Sequence, residues 1–505
     1  VAVLRSPHAH AKIKSINTSA AKALDGVVNV FIGQDLIDGG VGKMPVIWQV
    51  PENKVPDRWP LTPDKVRHVG DSVAAVVAED PYIAKDALDL IVVDYEVLEA
   101  TTGAKATTED GKPLVHDEIE NNISFKWALG DRKACDKAFE EADHIVELDL
   151  INQRLIANAM EPRACVAQWT AATEDMTVWT TSQNPHIIRF GLSAVTMPIL
   201  DEHKLRVISP DVGGGFGSKI FHYPEEVIVP WIAKEINRPC KWVATRSESF
   251  MTDSQGRDHV QSCKLALKSD GTITGLYAEL HADMGAYLSS IAPLIPTVIC
   301  ITLFSGLYKN PGIWGETTGT FTNTVPVDAY RGAGRPEASY LVERIIDVAA
   351  KELEMDPIEI RRKNFIGKDE FPYQTPVAFL YDSGDYHGMF DKLEENADYQ
   401  GMRAAQTKAK KDGRLVGIGV GGSVEASGYG PAATVGALGF YGGMWEHGGI
   451  RVHPTGKVTA FTGSHAHGQG HETTFAQVVA DKLGIDVEDV DVVHGDTDLV
   501  TQGMG

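Results

Sequence analysis

Asp211-Val212-Gly213-Gly214-Gly215-Phe216-Gly217-Ser218-Lys219 follows the apolar run Leu205 to Ile208 and precedes, after a short spacer, a helical pattern from Pro224 to Ile236. Glycine has no Cβ, so such a run lets the backbone come within hydrogen-bonding distance of a ligand. Successive amides can then form a concavity for a phosphate or an oxo group. Counting rules out two familiar phosphate motifs. A dinucleotide fingerprint begun at Gly213 needs glycine where Ser218 stands, and a P-loop needs Gly-Lys where Ser218-Lys219 stands. Taken alone, the string also reads as a Gly-rich turn without a ligand.

Two more strings lie downstream. Val327-Asp328-Ala329-Tyr330-Arg331-Gly332-Ala333-Gly334-Arg335 precedes a helix that starts near Pro336 and runs to Leu353. Two arginines among small residues at a helix start can hold an anion, or they form a solvated turn. Gly463-Ser464-His465-Ala466-His467-Gly468-Gln469-Gly470-His471-Glu472 opens an amphipathic helix through Phe475, Val478, Val479 and Leu483. Free amides beside a neutral side chain that donates and accepts suit a polar heterocycle or a phosphate. His465, His467 and Glu472 also reproduce the His-x-His-x4-Glu spacing of cupin metal sites, which suits iron, manganese or zinc. That motif wants glycine where Val479 stands and a strand where helix is predicted.

The bulk composition narrows the classes. With 43% hydrophobic and 23% charged residues, the 505-residue chain is ordinary globular material, long enough for two to four domains. A formal charge of -22 repels nucleic acid and anionic membrane surfaces. The apolar stretch from Ser290 to Gly306 is interrupted by Pro293 and Pro296 and reads as buried core rather than a membrane span. Five scattered cysteines encode neither a disulfide framework nor an iron-sulfur cluster, so electrons leaving this protein need another chain.

Along the chain, short β-rich runs (Val1 to Leu4, Lys12 to Ile16, Val73 to Ala78, Ile91 to Val97) surround a helix near Ile83 to Leu90. The Thr- and Lys-rich segment from Ala100 to Pro113 reads as an exposed connection. From Asn122 to about Gly367 strands mix with longer helices, and a short helix is expected over Ile358 to Lys363. A last segment is expected to begin with a helix from Met389 to Lys411. It continues into Gly-rich strands over Val416 to Gly443 and Lys457 to Gly463. Val1 interrupts a pattern and Gly505 falls in a turn, so both ends are expected to be missing.

In this order and at these separations, the three strings resemble the molybdenum-binding large subunits of the xanthine oxidase family, in particular the form II carbon monoxide dehydrogenase-like subunits. Arg5-Ser6-Pro7-His8-Ala9-His10-Ala11 is similar to the start of that family's hammerhead-like domain. Asn184-Pro185-His186 and Asp283-Met284-Gly285-Ala286-Tyr287 also match its pattern. The resemblance implies an α+β fold: a hammerhead-like unit over 1–110, then two molybdopterin-binding units over 120–367 and 385–505, the last incomplete.

It further implies a molybdenum-pterin cofactor, usually with a cytosine dinucleotide, bound by Gly214, Gly215, Phe216, Gly217, Arg331, Gly332, Ala333, Gly468, Gln469 and Gly470. Gln153 and Phe216 would flank the metal's apical oxygen, and Arg331 would point into the substrate pocket. The dithiolene holds the molybdenum, so no protein ligand to a metal is expected. Copper-containing carbon monoxide dehydrogenases place a Cys where Gly332 stands, and purine-oxidising relatives a Glu where Ile220 stands. The resemblance therefore implies hydroxylation of an aldehyde or N-heterocycle, or oxidation of carbon monoxide. The catalytic glutamate is expected beyond position 505. A [2Fe-2S] small subunit and an FAD medium subunit would complete a dimer of heterotrimers, in the cytoplasm or at the inner face of the membrane. A cupin-type oxygenase and a non-catalytic homologue are the alternatives.

Overall fold

A computed structural model describes residues 1–196, 199–427, 432–437 and 445–505. Its first unit is built on Ser72–Ala78, a strand apolar beyond Ser72 and flanked antiparallel by Ala2–Arg5 and Val27–Ile32. A second small sheet orders Lys65–Val66, Ala11–Asn17 and Val92–Val97. The helix Pro81–Leu88 starts where its composition says it should. Asp80 caps it by accepting from the Tyr82 amide at 2.7 Å, and Pro81 fills a position that needs no N–H donor.

The second unit holds two sheets. Five strands run in the order Ile123–Gly130, Gly312–Thr320, Ile273–Asp283, His259–Leu267 and His144–Asn152. The helix Arg335–Glu352 packs Leu341, Ile345 and Ala349 onto this sheet against Leu265, Leu276 and Ala278. Four further strands, Leu205–Ile208, Asp175–Thr180, Ala164–Thr170 and Cys240–Val243, bury Val178, Val207 and Trp242 against the helices Pro185–Thr196 and Glu225–Glu235. Val3, Phe31 and Leu36 of the first unit join that core, so the two units share one apolar interior. The third unit is the sheet Gly448–Val452, Val458–Thr462, Val490–Val493 with the helix His471–Leu483 across it.

Several sequence expectations need correction. The Ala100 to Pro113 segment is not simply exposed: Thr101, Ala104 and Thr107 are buried. The Thr107 hydroxyl donates to the Phe321 carbonyl at 3.1 Å, and the Thr101 amide to Asn323 Oδ1 at 3.0 Å. Hydroxyls satisfied by backbone lie comfortably inside a fold, and a polar composition hides that. The helix expected over Met389 to Lys411 is two helices, Tyr386–Ala397 and Tyr399–Lys411, because Asp398 turns left-handed (φ 48°) and caps the second. No strand occurs over residues 416–427, and Ala432–Ala437 are helical; the other positions of the strands expected over Val416 to Gly443 lie outside the described residues. All five cysteines are buried free thiols. Among the described residues no helix is long and apolar enough to cross a membrane.

Candidate functional site

Leu205–Ile208 is an edge strand, parallel to Met176–Trp179, and the chain leaves it where the third unit docks. Ser209 donates its amide to the Gly495 carbonyl at 2.7 Å, and the Arg206 guanidinium pairs with Asp496 at 2.6 Å. From the other side, Asn184 bonds the Met504 carbonyl and His186 Nε2 lies 2.9 Å from the Val500 carbonyl. The Asn184-Pro185-His186 string thus opens a helix and fastens the end of the third unit to it.

The Asp211–Lys219 loop is held chiefly by Gln183. Its Oε1 accepts from the amides of Gly217 (2.8 Å) and Lys219 (3.3 Å). A Cβ on Gly215 would overlap the Gln183 side chain, and one on Gly217 would overlap the Ala329 carbonyl. Here glycine is required by close approach as well as by φ, which is +105° at Gly217. Phe216 is left-handed (φ 54°) and turned outward, 41% exposed. Glu161 accepts from the Gly213 amide and from Lys219 Nζ, both at 2.8 Å. Burial lowers the Lys219 ammonium below the usual lysine range, and the Glu161 contact opposes that shift.

Beneath the loop, the Tyr223 hydroxyl donates to the Ser218 carbonyl at 2.6 Å. The Arg163 guanidinium lies 3.7 Å from the Tyr223 ring centroid and pairs with Glu225 and Asp253 at 2.8 and 2.6 Å. Arg5, from the string that opens the first unit, completes the platform by reaching Glu225 at 2.6 Å.

The second string joins the first directly: the Arg331 amide donates to the Phe216 carbonyl at 2.8 Å. Arg257 grips it from below, donating to the carbonyls of Tyr330 (3.1 Å) and Arg331 (2.7 Å). Its charge is balanced 3.1 Å away by Glu337, whose carboxyl burial pushes up and Arg257 draws back down. Asp328 accepts from the amides of Ala329 (2.7 Å) and Ile291 (3.1 Å), and burial lifts its carboxyl to about 7. The two arginines of this string part company. Arg331 is exposed, and among the described residues its guanidinium makes no hydrogen bond or ion pair. Arg335 instead reaches Glu425 at 2.7 Å and the Ala426 carbonyl.

The third string arrives through His467. Gln183 Nε2 and Gln469 Nε2 each lie 3.0 Å from His467 Nε2, so two amide donors face one ring nitrogen, which must accept. Burial lowers the His467 pKa, in keeping with a neutral ring. Gln469 Oε1 accepts the His467 amide at 2.6 Å. Behind this pair, Glu472 holds His494 Nε2 at 2.7 Å, and His494 Nδ1 meets His465 Nδ1 at 2.9 Å. His465 is fully buried, and burial brings it down to about 3.

The cupin alternative fails on this geometry. His465 and Glu472 both turn to His494 while His467 turns to two glutamines, and the motif's metal-binding strand is replaced by a turn and helix. Among the described residues no group of three His, Cys, Asp or Glu is placed to hold a metal ion.

Phe216, Arg331 and Gln469 are therefore connected through Gln183, His467 and one backbone bond, and all three are exposed at the same junction. Gln153 is exposed and makes no hydrogen bond among the described residues. Its place is set by Leu155, which pairs with Gly256 beneath Tyr330, and by the onward run to Ala159 and Glu161 over Gly213–Gly214.

The junction fits an anionic, phosphate-bearing cofactor. Among the described residues, the amides of Gly215, Phe216, Gly468, Gln469 and Gly470 make no hydrogen bond. Gly468 (φ +114°) and Gly470 (φ +78°) have open space where a Cβ would stand. Free donors at the start of a 13-residue helix suit an anion, and so does the Arg331 guanidinium, which has no partner among the described residues. Sequence reading missed Gln183, Arg257, Glu337 and His494. Only Gln183 left a trace, standing directly before the Asn184-Pro185-His186 string.

Comparison with known proteins gives the same outline. Residues 1–99 match the a/b hammerhead domain of aldehyde oxidase and xanthine dehydrogenase, and residues 115–365 and 392–505 match two molybdopterin cofactor-binding domains. The chain is 36% identical to the carbon monoxide dehydrogenase large chain of Afipia carboxidovorans over 99% of its own length, but spans only 63% of that relative. The nicotinate dehydrogenase large molybdopterin subunit of Eubacterium barkeri is 32% identical over 72% of this chain and 81% of its own. In structure, the quinoline 2-oxidoreductase of Pseudomonas putida 86 superposes with a TM-score of 0.93 at 33% identity, covering 100% of this chain and 63% of that one. The chain belongs to the xanthine oxidase family of molybdenum hydroxylases, on the side of their molybdopterin-binding large subunits.

Proposed function

We propose that this chain is the cofactor-binding part of a molybdenum-dependent hydroxylase of the carbon monoxide dehydrogenase type. The observation that carries the reading is the meeting of three glycine strings from two units at one junction, with amides and an Arg331 guanidinium that find no partner among the described residues. The cofactor, when bound, supplies the two-electron oxidising power and its own metal site. Gly468, Gln469 and Gly470 would offer amides to the pterin and its phosphates, and Gly214 to Gly217 would hold the metal-bearing part of the group with their backbone. Phe216, within that backbone, and Gln153, whose place is set only through Leu155, would serve as positioning groups, Arg331 would orient the substrate, and Gly332 and Ala333 would keep the loop narrow enough to approach. Cytosine dinucleotide is the expected nucleotide.

With an aldehyde or N-heterocycle the reaction would break a substrate C–H bond and form a C–O bond to oxygen from water, releasing two protons and two electrons; with carbon monoxide no C–H bond breaks, and addition of water's oxygen would give carbon dioxide with the same two protons and two electrons. The electrons leave through iron-sulfur and FAD-bearing partner subunits in a dimer of heterotrimers, in the cytoplasm or at the inner membrane face. Units over 1–110, 120–367 and 385–505 organise the chain. Candidate substrates are aldehydes and N-heterocycles, as with the quinoline and nicotinate relatives, or carbon monoxide. Gly332, at the position of the copper-binding cysteine, weighs against copper chemistry. Elemental analysis of the purified full-length complex tests the reading. It expects one molybdenum per large subunit and release of a cytosine nucleotide on acid treatment; a complex with neither overturns it.

A further inference from the structure

The turn from His465 to Glu472 closes at both ends on one side chain from elsewhere in the chain. His494, the residue after the strand Val490–Val493, sets Nδ1 2.9 Å from His465 Nδ1 and Nε2 2.7 Å from the Glu472 carboxylate. Its neighbour Gly495 accepts the Ser209 amide at 2.7 Å, and a Cβ there would overlap the Ser209 carbonyl and the His465 ring. The closure is thereby tied to the edge of the second unit.

Counting donors and acceptors shows how it works. Its own amide, and after it the His494 ring, hold the Glu472 carboxyl below its ordinary value against partial burial. Glu472 therefore accepts, and His494 Nε2 carries a proton. Burial brings His465 down to about 3, so that ring is uncharged at neutral pH. Two Nδ1 atoms in contact share one proton, one ring donating and the other accepting. A His494 protonated only at Nε2 accepts from His465, and one protonated at both nitrogens donates to it. The chain from His465 to Glu472 is complete in either state.

What it closes has little packing of its own. The amides of Gly468, Gln469 and Gly470 make no hydrogen bond among the described residues, and Gly468 and Gly470 meet nothing where a Cβ would stand. The outer arm is held at His467 by Gln183 and Gln469. At the base, the His494 chain joins the first arm to the helix start. Amides in an unpacked turn stay convergent only while its ends are tied, because freed residues regain conformational entropy.

We propose that His494 is a positioning residue for the anionic cofactor: by bonding His465 and Glu472 together it closes the base of the turn and keeps the amides of Gly468, Gln469 and Gly470 aimed at one phosphate-bearing group. This inference rests on the functional reading above, and the test separates the two.

The requirement is for one donor and one acceptor, not for a ring. His494→Gln keeps both functions, whereas His494→Phe keeps the flat ring and loses both. Bound cytosine nucleotide is measured in the purified full-length complex, and its loss is then timed in urea below the unfolding transition. Loss from His494→Phe is expected to be about tenfold faster than from the parent, and from His494→Gln within about threefold of it, as befits a buried hydrogen bond lost or kept. If either variant misfolds, His465→Asn, whose amide nitrogen can stand where Nδ1 stands, is compared with His465→Leu, with slower loss expected from His465→Asn. A nucleotide-loaded parent with equal rates within a pair, or with the apolar variant the slower, overturns this inference alone, since the ring then serves by packing. A parent complex without nucleotide overturns the functional reading, and this inference with it.

Discussion

The Asp211–Lys219 loop and the Gly463–Glu472 loop are both glycine-rich and both end at the same junction, yet they are built on opposite principles. In the first, glycine is demanded by crowding: a Cβ on Gly215 or Gly217 would run into Gln183 or the Ala329 carbonyl. Its neighbours are buried ion pairs and a tyrosine hydroxyl. In the second, only Gly463 is crowded, by the Gln502 carbonyl; Gly468 and Gly470 have open space where a Cβ would stand, and only their positive φ asks for glycine. One loop has its shape imposed by packing before any ligand arrives. The other keeps an open shape whose amides await one. Rigid backbone from the second unit and open backbone from the third together suit a large anionic group that must be held at both ends.

Removing the clamp under the first two loops should have the largest effect. Arg257→Met leaves the Glu337 carboxylate, with 0% exposure, without its partner and frees the carbonyls of Tyr330 and Arg331. Loss of one half of a buried pair costs about 3–5 kcal/mol. Urea unfolding should show that loss, and the double variant Arg257→Met/Glu337→Gln should recover part of it. Gly217→Ala comes next, at about 3 kcal/mol, since it joins a clash with the Ala329 carbonyl to a φ of +105°. A Gly217→Ala protein with unchanged stability would remove the contrast between the loops.

The sequence carried the elements well and the connections between them poorly. The strand before the first string, the helices after the second and third, and the strands around Ser72–Ala78 are legible because apolar periodicity and caps are local. The three strings themselves are legible because glycine runs are rare and their order is specific. Gln183, Arg257 and His494 are not, because each acts on residues far along the chain: Gln183 on Gly217 and His467, Arg257 on Arg331 and Glu337, His494 on Glu472. Nothing local marks a glutamine that will bridge two units. The burial of Thr101, Ala104 and Thr107 within the otherwise exposed segment is hidden for a related reason, since the partners of the two threonines, Asn323 and Phe321, lie more than two hundred residues away.

The platform beneath the first loop should also respond to pH. Glu226 accepts from the Thr180 hydroxyl and the Tyr223 amide, and burial raises its carboxyl from 4.5 to about 7. A raised carboxyl binds its proton more tightly when folded, so its stabilisation is complete below pH 4.5 and is lost as pH rises through 7. Glu226→Gln should remove that dependence. Between pH 5 and 8 the wild type should lose on the order of 2 kcal/mol relative to the variant, read from paired denaturation curves. Equal slopes would place the proton elsewhere.

The smallest effect on stability should come from the open loop, and it is the sharpest test of the contrast. Gly470 is left-handed (φ 78°, ψ 38°) at the start of the helix His471–Leu483, with nothing within reach of a Cβ. Alanine there meets only the intrinsic left-handed penalty, about 1 kcal/mol. The added methyl stands in the space the ligand is proposed to fill, beside amides that are otherwise free. Gly470→Ala should therefore fold nearly as well as the parent yet retain far less nucleotide through gel filtration, whereas Gly217→Ala should lose both together. Equal losses in the two variants would mean that the third-unit loop, like the first, takes its shape from packing and not from what binds it.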